Sequence, residues 1–126
     1  MKKAIQSLSV ALFVLSIGAV AHAGSKEPWP VSINTTSRWA QGAFGDARNS
    51  SDQNQFIGCS INNGQAYCAA EDASGHFVSC VTTATAFLNA LNSLNGDSAL
   101  YFAYNTSGVC SSLIVYNYSY YAPKAQ

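Results

Sequence analysis

The chain has 126 residues, 48% of them hydrophobic and only 10% charged, with six basic and six acidic side chains in balance. Charge this sparse, with no cluster of Lys or Arg, lacks the electrostatic footprint that phosphate backbones require, so nucleic acid is not an expected partner. The length suits one small domain whose apolar core leaves stability marginal, and four cysteines are available to reinforce it.

The chain opens Met1-Lys2-Lys3, continues through an apolar run and reaches Ala21-His22-Ala23, the order of charge, apolar stretch and small-x-small site found in a cleavable secretory signal. Residues 1–23 are therefore expected to be removed. The rival reading is a retained anchor, but Val10 to Ala21 is 12 residues, short of the ~20 needed to cross a bilayer. Gly24, not a cysteine, follows Ala23 directly, so the junction offers no thiol for a lipid anchor. After cleavage no membrane span is expected, and the chain is soluble or loosely attached unless another protein holds it. The remainder, 103 residues from Gly24, keeps Lys26, Arg38, Arg48 and Lys124 against Glu27, Asp46, Asp52, Glu71, Asp72 and Asp97, a net charge of −2. An exported protein is expected, periplasmic or extracellular, with a short Lys-Lys signal of bacterial type.

Residues 24–36 carry Pro28 and Pro30 around Trp29, which suits an extended lead-in with Trp29 as an anchor on the domain. The domain proper is expected over 37–126. From Ser37 the pattern is strand-like, with Trp39, Gln41 and Ala43 alternating against Ala40, Gly42 and Phe44. Gly45 to Asp52 is rich in side chains that bond their own backbone and reads as a turn. Three short strands follow, Gln55 to Ile61, Gln65 to Ala70 and His76 to Thr82. The turn signals Asn62-Asn63-Gly64 and Asp72-Ala73-Ser74-Gly75 join them into an antiparallel meander.

The period then changes. Ala84, Phe87, Leu88, Leu91 and Leu94 fall at helical spacing, with Thr82 or Thr83 placed to cap the start and Gly96 to end it, a helix of about three turns. Leu100, Phe102 and Tyr104 next alternate with Ala99, Tyr101 and Ala103, and Asn105 to Gly108 turns the chain. A last strand is expected from Val109 to about Tyr120, with Cys110, Ser112, Ile114, Tyr116, Tyr118 and Tyr120 on one side. The expected architecture is α+β, one antiparallel sheet of five or six strands with a single helix packed on one face.

Four cysteines in an exported chain read as two disulfides. Zinc is the competing use, but the intervals of 8, 11 and 29 residues between Cys59, Cys68, Cys80 and Cys110 lack the close pairs of a tetrahedral thiolate site. No metal or cofactor is expected. Three pairings are possible. A turn over Asn62 to Gln65 sets Cys59 opposite Cys68 and leaves Cys80 to close the loop to Cys110, whereas an odd-length second turn would pair Cys68 with Cys80.

Candidate chemistry is thin. His76 has Asp72 and Ser74 just before it, yet a base that bridges nucleophile and carboxylate needs them on opposite sides, which residues so close across a turn seldom supply. The acids invite a glycosidase reading, but most sit in turn-like segments and the domain leaves little chain for a cleft. Asp46, Asn49, Asp52 and Asn54 could surround calcium, without EF-hand spacing or a bidentate Glu. The Asn-x-Ser/Thr sites at Asn34, Asn49, Asn105 and Asn117 read as polar surface. The most pronounced compositional feature is Tyr116-Asn117-Tyr118-Ser119-Tyr120-Tyr121. Tyr116 is expected to pack against the domain, and Tyr118 and Tyr120 divide evenly between packing and an exposed row able to stack sugar rings or contact a protein. The functional expectation is an exported, non-enzymatic binding or surface module that recognises a protein or carbohydrate at the cell envelope through Tyr116, Tyr118 and Tyr120. The alternatives are a small inhibitor or immunity-type protein and, behind it, a small hydrolase.

Overall fold

The computed structural model describes residues 24–124; the predicted signal, 1–23, lies outside the described residues. In chain order the elements are β1 (Ser32–Asn34), β2 (Trp39–Ala43), α1 (Phe44–Asn49), β3 (Phe56–Asn62), β4 (Gln65–Glu71), β5 (Phe77–Thr82), α2 (Thr85–Leu91), β6 (Ala99–Tyr104) and β7 (Cys110–Tyr116). The domain is α+β and antiparallel, as the sequence predicts, but it holds two sheets rather than one: β1-β2-β6-β7 and β3-β4-β5. The three-stranded sheet is the predicted meander, displaced by no more than a residue at any strand end. Its first turn is closed by Asn63 (φ 50) and Gly64 (φ 76), the pair of positive φ values that a two-residue hairpin matched to strand twist requires. The four-stranded sheet forms over longer range, because β2 takes β6 as its neighbour, Trp39 opposite Ala103.

The core lies between the sheets. Ala40, Leu100 and Phe102 of one sheet and Ala66, Cys68, Ala70 and Cys80 of the other join one buried cluster. Leu100 and Phe102 are fully buried, each worth about 1.5–3 kcal/mol against exposure. The Phe87, Leu88 and Leu91 stripe of α2 packs on the same core, joined by Leu94 just beyond the end of the helix. This helix is two turns long rather than three, and it packs against β7. Ala84 precedes it without a side-chain cap, while Thr82 Oγ1 accepts the Ala84 amide at 3.1 Å. A second short helix, α1, stands where a turn is predicted, with Gly45 and Ala47 buried.

Both disulfides form. Cys59 bonds Cys68 and Cys80 bonds Cys110. Cys68 faces Cys59 on one side and Cys80 on the other, which is why the sequence leaves both pairings open. The second bond crosses from β5 to β7 and fastens one sheet to the other. Two disulfides accord with an oxidising compartment. Among the described residues no helix is long and apolar enough to cross a membrane.

The last strand departs from its predicted course. A bulge places Cys110 opposite Tyr104 and Ser112 opposite Ala103, so Ser111 is the extra residue and the side-chain alternation reverses. Cys110 thereby shares the core with Leu113 instead of lying beside Ser112, Ile114 and Tyr116. The strand also stops at Tyr116, leaving Tyr118 and Tyr120 beyond the sheet.

Candidate functional site

The chain leaves β7 at a polar knot. The Ser98 hydroxyl and the Asn95 amide both donate to Asn117 Oδ1, the latter at 3.2 Å, and Asn117 Nδ2 donates to the Ser93 carbonyl at 3.1 Å. These bonds fix Asn117 outside the ladder, and the tail that follows crosses α1. Asn49 Nδ2 donates to the Pro123 carbonyl at 2.9 Å, and Lys124 Nζ lies 6.0 Å from the centre of the Phe44 ring. The Ala122 carbonyl rests directly on Gly45, in space that a Cβ would occupy. Glycine is required there by contact.

The lead-in reaches the same place from the other terminus. The Trp29 amide donates to Asp46 Oδ2 at 2.9 Å, the Ala43 amide donates to the Trp29 carbonyl at 2.8 Å, and the Glu27 amide donates to the Tyr120 carbonyl at 3.2 Å. Five rings therefore meet. Trp29 lies 5.2 Å from Tyr116 and 5.8 Å from Tyr121, while Tyr118 and Tyr120 stack at 5.1 Å with 17° between their planes. Tyr120 in turn meets Tyr121 edge to face at 4.7 Å. Such separations fall in the favourable range for aromatic pairs.

The rings differ in burial. Tyr121 is 5% exposed and packs on Ala43 and Ala99, whereas Tyr118 is 54% exposed. Tyr116 and Tyr120 are half-buried. The structure thus brings together the three predicted tyrosines, but by a turn in the tail rather than by strand alternation. It adds Trp29, read from sequence as an anchor, and Tyr121, which the sequence reading left out of the site. The signal for Trp29 was Pro28-Trp29-Pro30; Tyr121 gave none beyond its place in the tyrosine run.

Ser25, Glu27, Pro28, Trp29, Tyr120 and Tyr121 line an open groove of about 500 Å³ between lead-in and tail. Two other grooves of similar size lie elsewhere, one mixing charged side chains with Phe44 and Phe56, the other around the β3–β4 hairpin. Neither gathers several rings with a carboxylate and hydroxyls at the edge. Burial is the first cause that raises the Tyr121 pKa, and the Tyr120 hydroxyl the second. The Tyr121 hydroxyl is buried without a well-formed hydrogen bond. Desolvation, followed by repulsion from Tyr101, Tyr118 and Tyr120, likewise raises Tyr116. The phenols of Tyr116 and Tyr121 are thus held in their neutral form.

The other candidates are accounted for by turns. Partial desolvation pushes the Asp72 carboxyl up, but hydrogen bonds from the His76 amide, the His76 ring and the Ser74 amide outweigh it and lower the pKa. His76 Nδ1 lies 2.9 Å from Asp72 Oδ2, and Ser74 reaches the same carboxylate through its backbone, at 2.9 Å. The Ser74 and His76 amides and the imidazole thus all close one turn on Asp72. Asp52 is held at about 2, first by Gln55 Nε2 and then by the amides of Gln55 and Asn54. Its carboxylate closes the loop before β3, while Asp46 is bonded to Trp29. The four calcium candidates therefore do not converge, and no group of three metal-ligating side chains occurs among the described residues. Asn34 and Asn105 accept turn amides, at 2.7 Å from Ser37 and 2.9 Å from Ser107 respectively.

Comparison of the chain with protein-family models, curated proteins and solved structures gave no match.

Proposed function

We propose that the chain is an exported, non-enzymatic binding module that takes a neutral glycan on the aromatic groove at the meeting of its two termini. The observation that carries this reading is the five-ring cluster beside a groove edged by Ser25, Glu27 and Tyr120. A sugar ring offers an apolar C–H face and a rim of hydroxyls. An aromatic face complements the first, and the Ser25 and Tyr120 hydroxyls with the Glu27 carboxylate complement the second. Sparse charge suits an uncharged ligand.

A protein partner, as an inhibitor or immunity-type module would have, is the second reading. The outer face of β3-β4-β5 favours it, where Phe56 and Phe77, 43% and 52% exposed, hold their rings 6.1 Å apart, and Tyr67, 44% exposed, stands farther along β4 opposite Ser60 and Val81.

The test is titration of the disulfide-intact protein beginning at Gly24 with neutral envelope oligosaccharides, followed by tryptophan fluorescence and calorimetry. Glycan binding should perturb Trp29 and weaken roughly thirtyfold on Trp29→Ala or Tyr120→Ala, the loss of about 2 kcal/mol expected of an aromatic anchor. Binding of a protein that depends on Phe56 and Phe77, with no glycan response, would transfer the function to the other sheet.

A further inference from the structure

Exposed sheet edges invite pairing with another chain unless they are shortened, covered, bent or charged. Among the described residues, three of the four sheet edges are managed. β1 is only three residues long, β7 is packed by α2, and β5 is tied to the turn between β6 and β7 by the parallel bridge between Val81 and Val109, with the Val81 amide donating to the Gly108 carbonyl at 3.0 Å. The remaining edge is β3. It runs seven residues, Phe-Ile-Gly-Cys-Ser-Ile-Asn, without a charge, a proline or a bulge. The groove beside α1 is lined at this strand by Phe56 and Ile57; farther along, Gly58 and Cys59 are half-buried and Ser60, Ile61 and Asn62 are exposed.

The hairpin fixes which backbone groups point outward. Asn62 and Gln65 close the two-residue turn as a hydrogen-bonded pair, so Ile61 opposite Ala66 and Cys59 opposite Cys68 occupy the non-bonded positions. The amides and carbonyls of Cys59 and Ile61 therefore face away from β4, and among the described residues neither has a backbone hydrogen bond to another element.

We infer that β3 pairs antiparallel with β3 of a second copy about a two-fold axis at Ser60, joining two three-stranded sheets into one of six strands. That register sets Cys59 opposite Ile61 of the partner subunit, twice, for about four backbone hydrogen bonds. Self-pairing is the occupancy this edge fits. With no charge on β3, two copies meet without repulsion, and Ser60 meets its own equivalent, a small polar cross-strand pair. Gly58, with open space where a Cβ would stand, faces the partner's Asn62. Ile61, 46% exposed on the monomer, comes to lie against the half-buried disulfide sulfur of the partner's Cys59.

The contact is small, so the dimer is weak and the experiment is a concentration series of the disulfide-intact protein from ~0.01 to ~1 mM, read by sedimentation equilibrium and by amide hydrogen exchange. The mass should double across the series, and the amides of Cys59 and Ile61 should gain protection as it does. Ile61→Pro removes an outward donor without touching the bonds to β4, and it should weaken association about tenfold or more. Ile61→Lys, which sets a charge against the partner's edge, should do the same. A monomer throughout, or a dimer that keeps its affinity in both variants and leaves those two amides unprotected, overturns the inference.

Discussion

Tyr118 and Tyr121 stand three residues apart in one turn and do opposite things. Tyr121 is the floor of the cluster, pressed on Ala43 and Ala99, and its hydroxyl is buried without a proper hydrogen bond. Tyr118 stacks on Tyr120 and shows half its surface to solvent. Replacing Tyr118 by Ala should therefore move stability by no more than about 0.5 kcal/mol. Tyr121→Ala should cost about 3 kcal/mol or more through the cavity it opens. Tyr121→Phe separates ring from hydroxyl. An unpaired buried polar group carries a desolvation cost of about 1–3 kcal/mol, so this variant should melt at the same temperature as the parent or above it. A thermal melt of the three variants checks the set, and a lower melting temperature for Tyr121→Phe would show that the hydroxyl has a partner.

Among the elements, α1 is the one that places the site, and it is the one the sequence conceals. Phe-Gly-Asp-Ala-Arg-Asn combines a helix-weakening glycine with turn formers, so local preference opposes a helix. Packing overrides it. Ala47 is buried, the carboxylate of Asp46 holds Trp29, and the bare backbone of Gly45 receives the Ala122 carbonyl. Gly45→Ala thus has a specific consequence. The added methyl should leave α1 intact, since Ala is the better helix former, while lifting the tail and parting Tyr120 and Tyr121 from Trp29. Weaker glycan binding, a changed Trp29 emission and faster proteolysis of residues 117–124 should appear together, with the two disulfides still formed. What was legible follows the same division. The meander over β3, β4 and β5 could be read because alternation and turn residues act between near neighbours. The split into two sheets could not, since the pairing of β2 with β6 spans some sixty residues and no local pattern specifies it. The tyrosines of the site were visible as composition. Their geometry was not, because it depends on the bulge in β7, the Asn117 knot and the contact at Gly45, each made by residues distant in the chain.

For the molecule as a whole, the two disulfides have different work. Cys59–Cys68 joins neighbours within one hairpin, residues that the ladder already holds, and closes a separation of 9. Cys80–Cys110 closes a separation of 30 and is the covalent tie between the sheets. It also fixes the bulged start of β7, whose other end delivers Tyr116 to the cluster. If a cross-link acts mainly by restricting the unfolded chain, the ratio of loop lengths gives the longer one an advantage of about 1 kcal/mol. The loss of its inter-sheet constraint adds to that. Replacing Cys80 and Cys110 together by Ala should therefore destabilise the protein more than replacing Cys59 and Cys68, within the 2–5 kcal/mol typical of small exported domains. Chemical denaturation of the two double variants measures the difference. Hydrogen exchange locates it: without Cys80–Cys110, the amides of β6 and β7 should lose protection ahead of those of β4, whereas without Cys59–Cys68 the exchange should rise first at the free edge of β3. Equal losses spread evenly over both sheets would show that the sheets are held by their apolar interface alone and that the tie between β5 and β7 is redundant.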